Sequence, residues 1–592
     1  MPVASPELYQ QRASQFQKET KEVERVISRY AWTRVVLIVV GIGVGYQGFS
    51  NSLFFYFVPV ILFFFFFLVK RQLKQEERKQ LLQNLVKLNL AEAKALGFEF
   101  AEFADGSRFA DPHHPYSYDL DLFGKGSLYQ YLNRSATQLG EERLAADLTH
   151  LNSDKETILS RQEAVRELGT LLEFRQQVWA LGRQINDFTF SLTPITKWLN
   201  DRPVIYRHQI NTVLKWVLPA ITLGVLALTI TDSKYYPFLL LLMIIQLTIT
   251  GVYAKQFKEM LTLLANVKSV LDNYSKVFNL LHEQAVSSAL MKKHHAVAGK
   301  AAAEVKLFSG LVNSFESRMN PIAMMFGNGF FMYDFHSATK LEEWRERNAK
   351  DLPHWLESLA EWDALISLAT LHFNQPSYAF GEITDELQIK GTEVGHPLIS
   401  RPPRVSNDVH LGDPANVMLI TGANMAGKST FLRTIGINFV LAQAGAPVCA
   451  SRWVSPIITL RSGMRTSDSL QDHQSYFYAE LYRLQSIMEE LRSGKRMLIL
   501  LDEILKGTNS TDKQAGSREL IKQLKEQHAL VLLATHDIAL GDLEQEFPGQ
   551  IINTCFEGRI EDGQLSFDYT LHYGVAQKAN ATFLMKRMGI IP

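Results

Sequence analysis

The chain has 592 residues, of which 61 are basic and 61 acidic; 46% are hydrophobic and 21% charged. That composition excludes bulk disorder and leaves room for several domains, each with its own core. Zero net charge gives no global reason to expect a nucleic-acid partner, although a local basic groove stays compatible with it. Two distant cysteines, Cys449 and Cys555, exclude a disulfide framework and a four-cysteine zinc site, and suit a reducing compartment.

Between Arg34 and Lys70 no charged residue occurs. One helix of that length would reach roughly 50 Å, well beyond a hydrocarbon core of about 30 Å. The GFSNS stretch at 48–52 predicts a turn, giving two spans folded as a hairpin. Gly41 and Gly45 have the small-xxx-small spacing that lets two helix backbones approach closely. A signal peptide would need a basic start near the terminus and a small-residue cleavage site, and neither is present. A second apolar stretch runs from Trp216 to Tyr253, broken only by the TDSK turn at 231–234. Lys215, Lys255 and Lys258 flank it, as Arg25, Arg29, Arg34, Lys70, Arg71 and Lys74 flank the first. The positive-inside tendency then places both termini and every long segment in the cytoplasm. The expected location is the inner, cytoplasmic membrane, crossed several times.

Residues 7–30 and 70–96 read as amphipathic helices on either side of the first hairpin. Residues 97–118, rich in Gly, Pro, His and aromatics, read as a linker. Helical periodicity dominates 119–200 and 254–373, and after Pro376 short β-type runs take over. The expected division is an N-terminal cytoplasmic helix (1–33), hairpin one (34–70), a helix and linker (71–118), a helical region (119–375) interrupted by hairpin two (215–254), and an α/β domain (376–592). His113–His114 and His294–His295 are adjacent pairs without helical ligand spacing, and read as ordinary polar residues.

The chemistry is concentrated in the last domain. An apolar strand at 417–420 leads into TGANMAGKST, in which Gly422-x4-Gly427-Lys428-Ser429 fits the P-loop pattern. In such a loop the backbone N–H groups of Gly422, Ala423, Asn424, Met425, Ala426, Gly427 and Thr430 wrap phosphates at a helix start. Lys428 reaches the terminal phosphates and the Ser429 hydroxyl ligates Mg²⁺. A second apolar strand at 497–501 ends in Asp502 and Glu503, placing Asp502 on Mg²⁺ and Glu503 on the attacking water. A third, at 529–534, ends in Thr535-His536-Asp537, with His536 placed to sense the γ-phosphate. Three such matches in order on three strands point to an ATP-hydrolysing domain that uses ATP and Mg²⁺.

TGANMAGKSTFLRTIG, DEILKGTNSTD at 502–512, ATHD at 534–537 and SDSLQDHQSYFYAEL at 467–481 together resemble the MutS-type family of DNA mismatch-recognition ATPases. GHPLI at 395–399, VSNDVHL at 405–411 and the closing segment from Tyr569 extend the likeness. So do DLDLFGKGSLYQYLNRSATQLGEERLAADL at 119–148 and RQEAVREL at 161–168. The resemblance implies an ABC-class α/β P-loop domain preceded by an all-α core and lever region, here carrying two transmembrane helical hairpins. It implies a homodimer with composite ATP sites in which Ser475 reaches the partner's nucleotide, and a Tyr569 ring stacked on adenine. Arg404 stands where a second aromatic is usual, and Tyr476 where a threonine is. The mismatch-reading and clamp domains are not recognisable. Phe100-Ala101-Glu102 matches the family's wedge by letter only, in a segment without room for a domain around it.

The resulting expectation is a membrane-anchored MutS-like ATPase coupled to DNA binding, without mismatch specificity. The alternative is an ATP-driven switch acting on a membrane or protein partner. A transporter would need a Leu-Ser-Gly-Gly-type signature before the acidic strand, where this chain reads QSYFYAELYRLQSIMEELRSG.

Overall fold

The computed structural model describes residues 3–184, 198–199, 209–423, 425–465, 476–561 and 564–577. The chain begins with a single unbroken helix, Pro6–Ser50, started by Ser5, whose hydroxyl accepts from the Leu8 N–H at 3.2 Å. Pro6 occupies the first turn, where its missing N–H costs nothing. The antiparallel return helix is Val58–Ala95. The reversal falls later than the GFSNS turn expected from sequence. Gly48 stays helical beneath the Phe55 ring, and Asn51 ends one helix while its side chain accepts from the Leu53 N–H.

The charged halves of this pair pack on the rest of the protein. Tyr9, Leu82, Leu85 and Leu88 are buried, and the Tyr9 hydroxyl donates to Asn374 Oδ1 at 2.7 Å. The apolar halves stand clear of it. The small-residue seam expected at Gly41 and Gly45 is only half formed. A Cβ at Gly41 would lie 3.5 Å from Ile61, but among the described residues nothing lies within 4 Å of one at Gly45.

Residues 97–118 are not the loose linker their composition predicts. Phe100, Phe103 and Tyr116 are buried, and Gln130 Nε2 donates to the Phe103 carbonyl at 2.8 Å. Phe100 packs edge-on to Tyr131 and Glu102 pairs with Lys94, so the letter-match to a DNA wedge is ordinary packing.

A helical region follows, built from Gln138–Thr149, Lys155–Gly169, Leu172–Gly182, Ala254–Glu283, Ala289–Glu316, Tyr333–Asn348 and Asp351–Asn374. The last of these is buried along nearly its whole length and is the axis of the region. Its Asp363 accepts from the Ala136 and Thr137 N–H groups, both at 2.8 Å, fixing the start of Gln138–Thr149. Two further helices, Gln209–Thr231 and Tyr236–Val252, form the second apolar hairpin. In all, four helices of the described chain are long and apolar enough to cross a membrane.

The C-terminal part is mixed α/β. Its strands are β1 (Ala379–Phe380), β2 (Glu382–Thr384), β3 (Ile389–Val394), β4 (Asn407–Leu411), β5 (Val417–Gly422), β6 (Pro447–Val448), β7 (Arg452–Pro456), β8 (Thr459–Gly463), β9 (Met497–Asp502), β10 (Ala529–Thr535), β11 (Ile551–Glu561) and β12 (Gln564–Tyr573). The main sheet has the order β12-β11-β5-β10-β9-β8, parallel except at its β12 edge. The continuous apolar runs of β5, β9 and β10 mark strands covered on both faces. Met418, Ile420, Leu498 and Leu500 face Lys428–Gln443, whereas Val417, Leu419, Ile499 and Leu501 face Tyr476–Arg492 and Ser510–Lys525. The register sets Thr421 beside Thr535 and Asp502 beside Ala534, so the polar ends of three strands meet at one edge. Beside this sheet lies a smaller one, β2-β7-β3-β4.

Candidate nucleotide site

The site grows from that edge. After β5 the backbone turns through positive φ at Gly422 (149°), Met425 (71°) and Gly427 (110°) before the helix Lys428–Gln443 begins. Gly422 admits no side chain, because a Cβ there would lie 2.6 Å from the Phe556 carbonyl. The helix start leaves free N–H groups pointing into the loop, a ready anion site. Lys428 is buried, and its ammonium donates to the carbonyls of Gly422 (2.7 Å) and Ala423 (2.9 Å). Burial lowers its pKa, and the carboxylates of Glu503 and Asp502 oppose that shift.

The end of β9 closes on the loop. Ser429 Oγ donates to Asp502 Oδ2 at 2.6 Å, joining two hard oxygen donors at the cleft's inner edge. Glu503 takes φ of 52°, held by its N–H bond to the Ala534 carbonyl at 2.8 Å. Its two carboxylate oxygens face His536 Nδ1 and Lys506 Nζ, each at 3.7 Å. His536 projects from the end of β10 and is more than half exposed.

Lys428, Ser429 and Glu503 border one cleft of about 480 Å³, whereas His536 is not among its lining residues and reaches it only through Glu503. Ala423, Met425, Gly427, Lys428, Ser429, Thr430, Glu503 and Tyr569 all line it, with Asp502 behind Ser429 and Ala426 buried under the loop. Tyr569 lies over the loop, its ring 3.2 Å from where a Gly427 Cβ would sit. Asn407 holds it there by donating to the Tyr569 carbonyl at 3.0 Å and accepting from the Leu571 N–H at 2.7 Å. Arg404 lines the same cleft, but its guanidinium turns to Tyr378, donating to the hydroxyl at 3.1 Å. Asn424 and Ser475 lie outside the described residues.

Other lining residues carried no motif of their own. Phe431 and Phe556 form an edge-on aromatic floor with centroids 5.7 Å apart. His396, inside the GHPLI segment, is largely buried; burial first, then the charges of Arg433 and Arg404, push its pKa down to about 4.

Behind the cleft, Asp119 is fully buried and joins the helical region to the sheet. Its carboxylate accepts from Ser462 Oγ (2.7 Å), the N–H groups of Met464 (3.2 Å) and Arg465 (3.0 Å), and Arg483 (3.1 Å). Its carbonyl accepts from Arg433, which lies on the helix Lys428–Gln443, at 2.9 Å. Arg465, whose fork grips Asp121, immediately precedes the segment that contains Ser475.

Comparison with known proteins finds similarity over this same part of the chain. Residues 418–590 match the family MutS domain V. The chain is 34% identical over 241 residues to the DNA mismatch repair protein MutS of Thermotoga maritima, covering 40% of this chain and 29% of that one. It is 34% identical over 235 residues to the DNA mismatch repair protein MSH3 of Phaeosphaeria nodorum (38% and 20%) and 29% identical over 262 residues to MutS of Bacillus subtilis (43% and 30%). The chain therefore spans less than a third of the length of these relatives. The likeness to the MutS family is carried by this C-terminal region, residues 418–590.

Proposed function

We propose that the chain is a membrane-anchored, MutS-like P-loop ATPase whose two hairpins, at 34–70 and 215–254, cross the cytoplasmic membrane. Residues 376–592 are its nucleotide domain and 119–375 its core and lever. The observation that carries this reading is the convergence of Lys428, the Ser429–Asp502 pair and Glu503 on one cleft, roofed by Tyr569. The loop N–H groups and Lys428 bind the phosphates, and Tyr569 stacks on the base. Ser429 and Asp502 are the two oxygen donors suited to a divalent cation such as Mg²⁺, which neutralises phosphate charge when bound. Glu503 orients and deprotonates the attacking water, and His536, beside it, reports the state of the γ-phosphate. Two chains pair so that Ser475 of each completes the other's site.

The relatives' names as DNA mismatch repair proteins support DNA as the partner that couples to turnover. A second reading, a switch acting on a membrane or protein partner, is favoured by one observation: the second hairpin is hydrogen-bonded to the chain beside it, Gln246 to the Gly329 carbonyl and the Lys215 carbonyl to His336 of the helical region.

The test is ATP turnover by the detergent-solubilised protein with homoduplex, mismatched and branched DNA across a salt series. Stimulation that falls steeply with salt supports DNA coupling, because phosphate contacts release counterions. Turnover indifferent to all DNA, with no binding at low salt, leaves the membrane or protein switch. Lys428→Ala is expected to abolish nucleotide binding. Glu503→Gln is expected to keep binding and lower turnover by about 100-fold or more; unchanged turnover would remove Glu503 from its role.

A further inference from the structure

One short helix, Pro321–Phe331, is apolar where the described residues give it no cover. From Met319 to Tyr333 no charged residue occurs, and Ile322, Met325, Phe326 and Phe331 are 68%, 44%, 49% and 51% exposed. Its buried residues are Asn328, whose Oδ1 accepts from the Asp334 N–H at 2.9 Å, and Gly329, which meets the second hairpin. A Cβ at Gly329 would lie 3.1 Å from Met243, so glycine is what allows the close approach. At this contact Gln246, fully buried in an otherwise apolar helix, donates through Nε2 to Thr222 Oγ1 at 2.7 Å and to the Gly329 carbonyl at 3.0 Å. That carbonyl is among the last four of its helix, which lack intrahelical partners. The amide therefore satisfies a backbone group that water would otherwise have to reach.

The depth of the contact follows from the sequence. Thr222 is seven residues beyond Lys215 and Gln246 nine before Lys255, so both stand roughly 10–13 Å inside the charged ends of the hairpin at 1.5 Å per residue. Both ends of the short helix return to one face. Arg318 pairs with Asp334 at 3.3 Å, the Tyr333 hydroxyl donates to the Ser314 carbonyl at 2.9 Å, and His336 meets the Lys215 carbonyl at 2.8 Å beside the Trp216 ring. At about 16 Å long the helix cannot cross a hydrocarbon core of about 30 Å.

We infer that Pro321–Phe331 is a third membrane element, an excursion of the helical region that dips into the cytoplasmic leaflet alongside the second hairpin and whose exposed apolar face is covered by lipid acyl chains. This rests on the reading of that hairpin as membrane-spanning, with which its apolar face is continuous. Because the segment belongs to the region between the hairpin and the nucleotide domain, movement of that region would move it through the leaflet.

The test uses the full chain carrying Cys449→Ser and Cys555→Ser, with a fluorophore on Phe326→Cys, on Ile244→Cys of the hairpin, or on Leu307→Cys of Ala289–Glu316. Each is placed in phosphatidylcholine–phosphatidylglycerol vesicles with nitroxide-labelled acyl chains. The expected result is loss of emission to the lipid nitroxide at 326 and 244, with iodide quenching only at 307. Iodide quenching at 326 with lipid quenching at 244 overturns the inference and leaves the spanning hairpin intact. Shielding of 326 from both quenchers also overturns it, since a protein surface then covers the face. Iodide quenching at 244 removes the membrane reading itself. Met325→Cys, on the same exposed face, serves if the 326 variant fails to fold.

Discussion

In the first hairpin the most apolar stretch of each helix has no buried residue, and its polar contacts to the protein lie far down, at Tyr9 and the charged turns. In the second, 17% of each apolar stretch is buried. Here Gln246, bonded within the hairpin to Thr222, also donates to the Gly329 carbonyl of Pro321–Phe331, and His336 of the helical region meets the Lys215 carbonyl at the hairpin's base. Similar composition thus serves two ends. A hairpin that touches only itself can hold a protein at a surface. A hairpin hydrogen-bonded to a helical region, which is itself tied to the nucleotide cleft through Asp119 and Arg433, can be moved by that cleft or can move it.

The largest expected effect comes from cutting the far end of that connection. Asp119→Ala leaves Arg483 without its buried carboxylate and two N–H groups without an acceptor, at a cost of about 3–5 kcal/mol. Thermal unfolding of the nucleotide domain measures it, and Asp119→Asn, which keeps an acceptor, is expected to lose less. If Asp119→Ala unfolds like wild type, the connection carries no load and the contrast between the hairpins loses its functional meaning.

Acid offers a milder way to separate the two ends. His396 has a folded pKa of about 4, below its unfolded value near 6.5, so the fold holds it neutral. Its contribution is complete above the unfolded value and is lost as pH falls towards the folded one, because there the unfolded chain binds the extra proton. Stability of the nucleotide domain should therefore decline from about pH 6.5 downwards, and His396→Gln should flatten the decline. The spans contain no histidine, and their helical signal should not follow it. An identical pH profile in the variant would take His396 out of the account.

How far these features could be read from sequence depends on the range of the interaction. The placement of the Gly422–Ser429 loop, Asp502–Glu503 and His536 at strand ends was legible because each is a local pattern after an apolar run. The parallel register then brings the three strand ends together. The hairpins were legible from the lengths of their uncharged runs. Pro321–Phe331 was not, since its uncharged run is too short to span and its apolar exposure is visible only beside Met243 and Gln246. In the sequence Asp119 stands out only as the first residue of a family-like stretch. Its role depends on Ser462, Met464, Arg465 and Arg483, more than 300 residues away. Residues 97–118 misled for the opposite reason: Gly, Pro and aromatics that suggest a linker are here folded against Tyr129 and Tyr131.

If the second hairpin spans the membrane as proposed, Gln246→Ala should cost about 1 kcal/mol, the usual scale for a hydrogen bond between helices in lipid. It should also change ATP turnover in vesicles, where a merely anchoring hairpin would not. An unchanged turnover with lowered stability would reduce the second hairpin to the same anchoring role as the first.

The smallest effect tests the first hairpin directly. If the glycines at 41 and 45 form a close-packed seam, alanine at either should force the helices apart and weaken the pair. The geometry says otherwise: a Cβ at Gly41 meets Ile61 at an ordinary 3.5 Å, and one at Gly45 meets no described atom within 4 Å. Alanine also removes the entropic penalty of glycine in a helix, worth roughly 0.5–1 kcal/mol. Gly41→Ala and Gly45→Ala should then leave hairpin stability unchanged or slightly raised, with ATP turnover as in wild type. Gly48→Ala is the matched opposite, because its Cβ would fall 2.9 Å from the Phe55 ring at the tip. Guanidine or thermal melts of the three variants in vesicles rank them. Loss at 41 and 45 equal to that at 48 would mean that the two spans pack more tightly than the distances at Ile61 allow, and the first hairpin would have to be regarded as a specific helix pair rather than a tether.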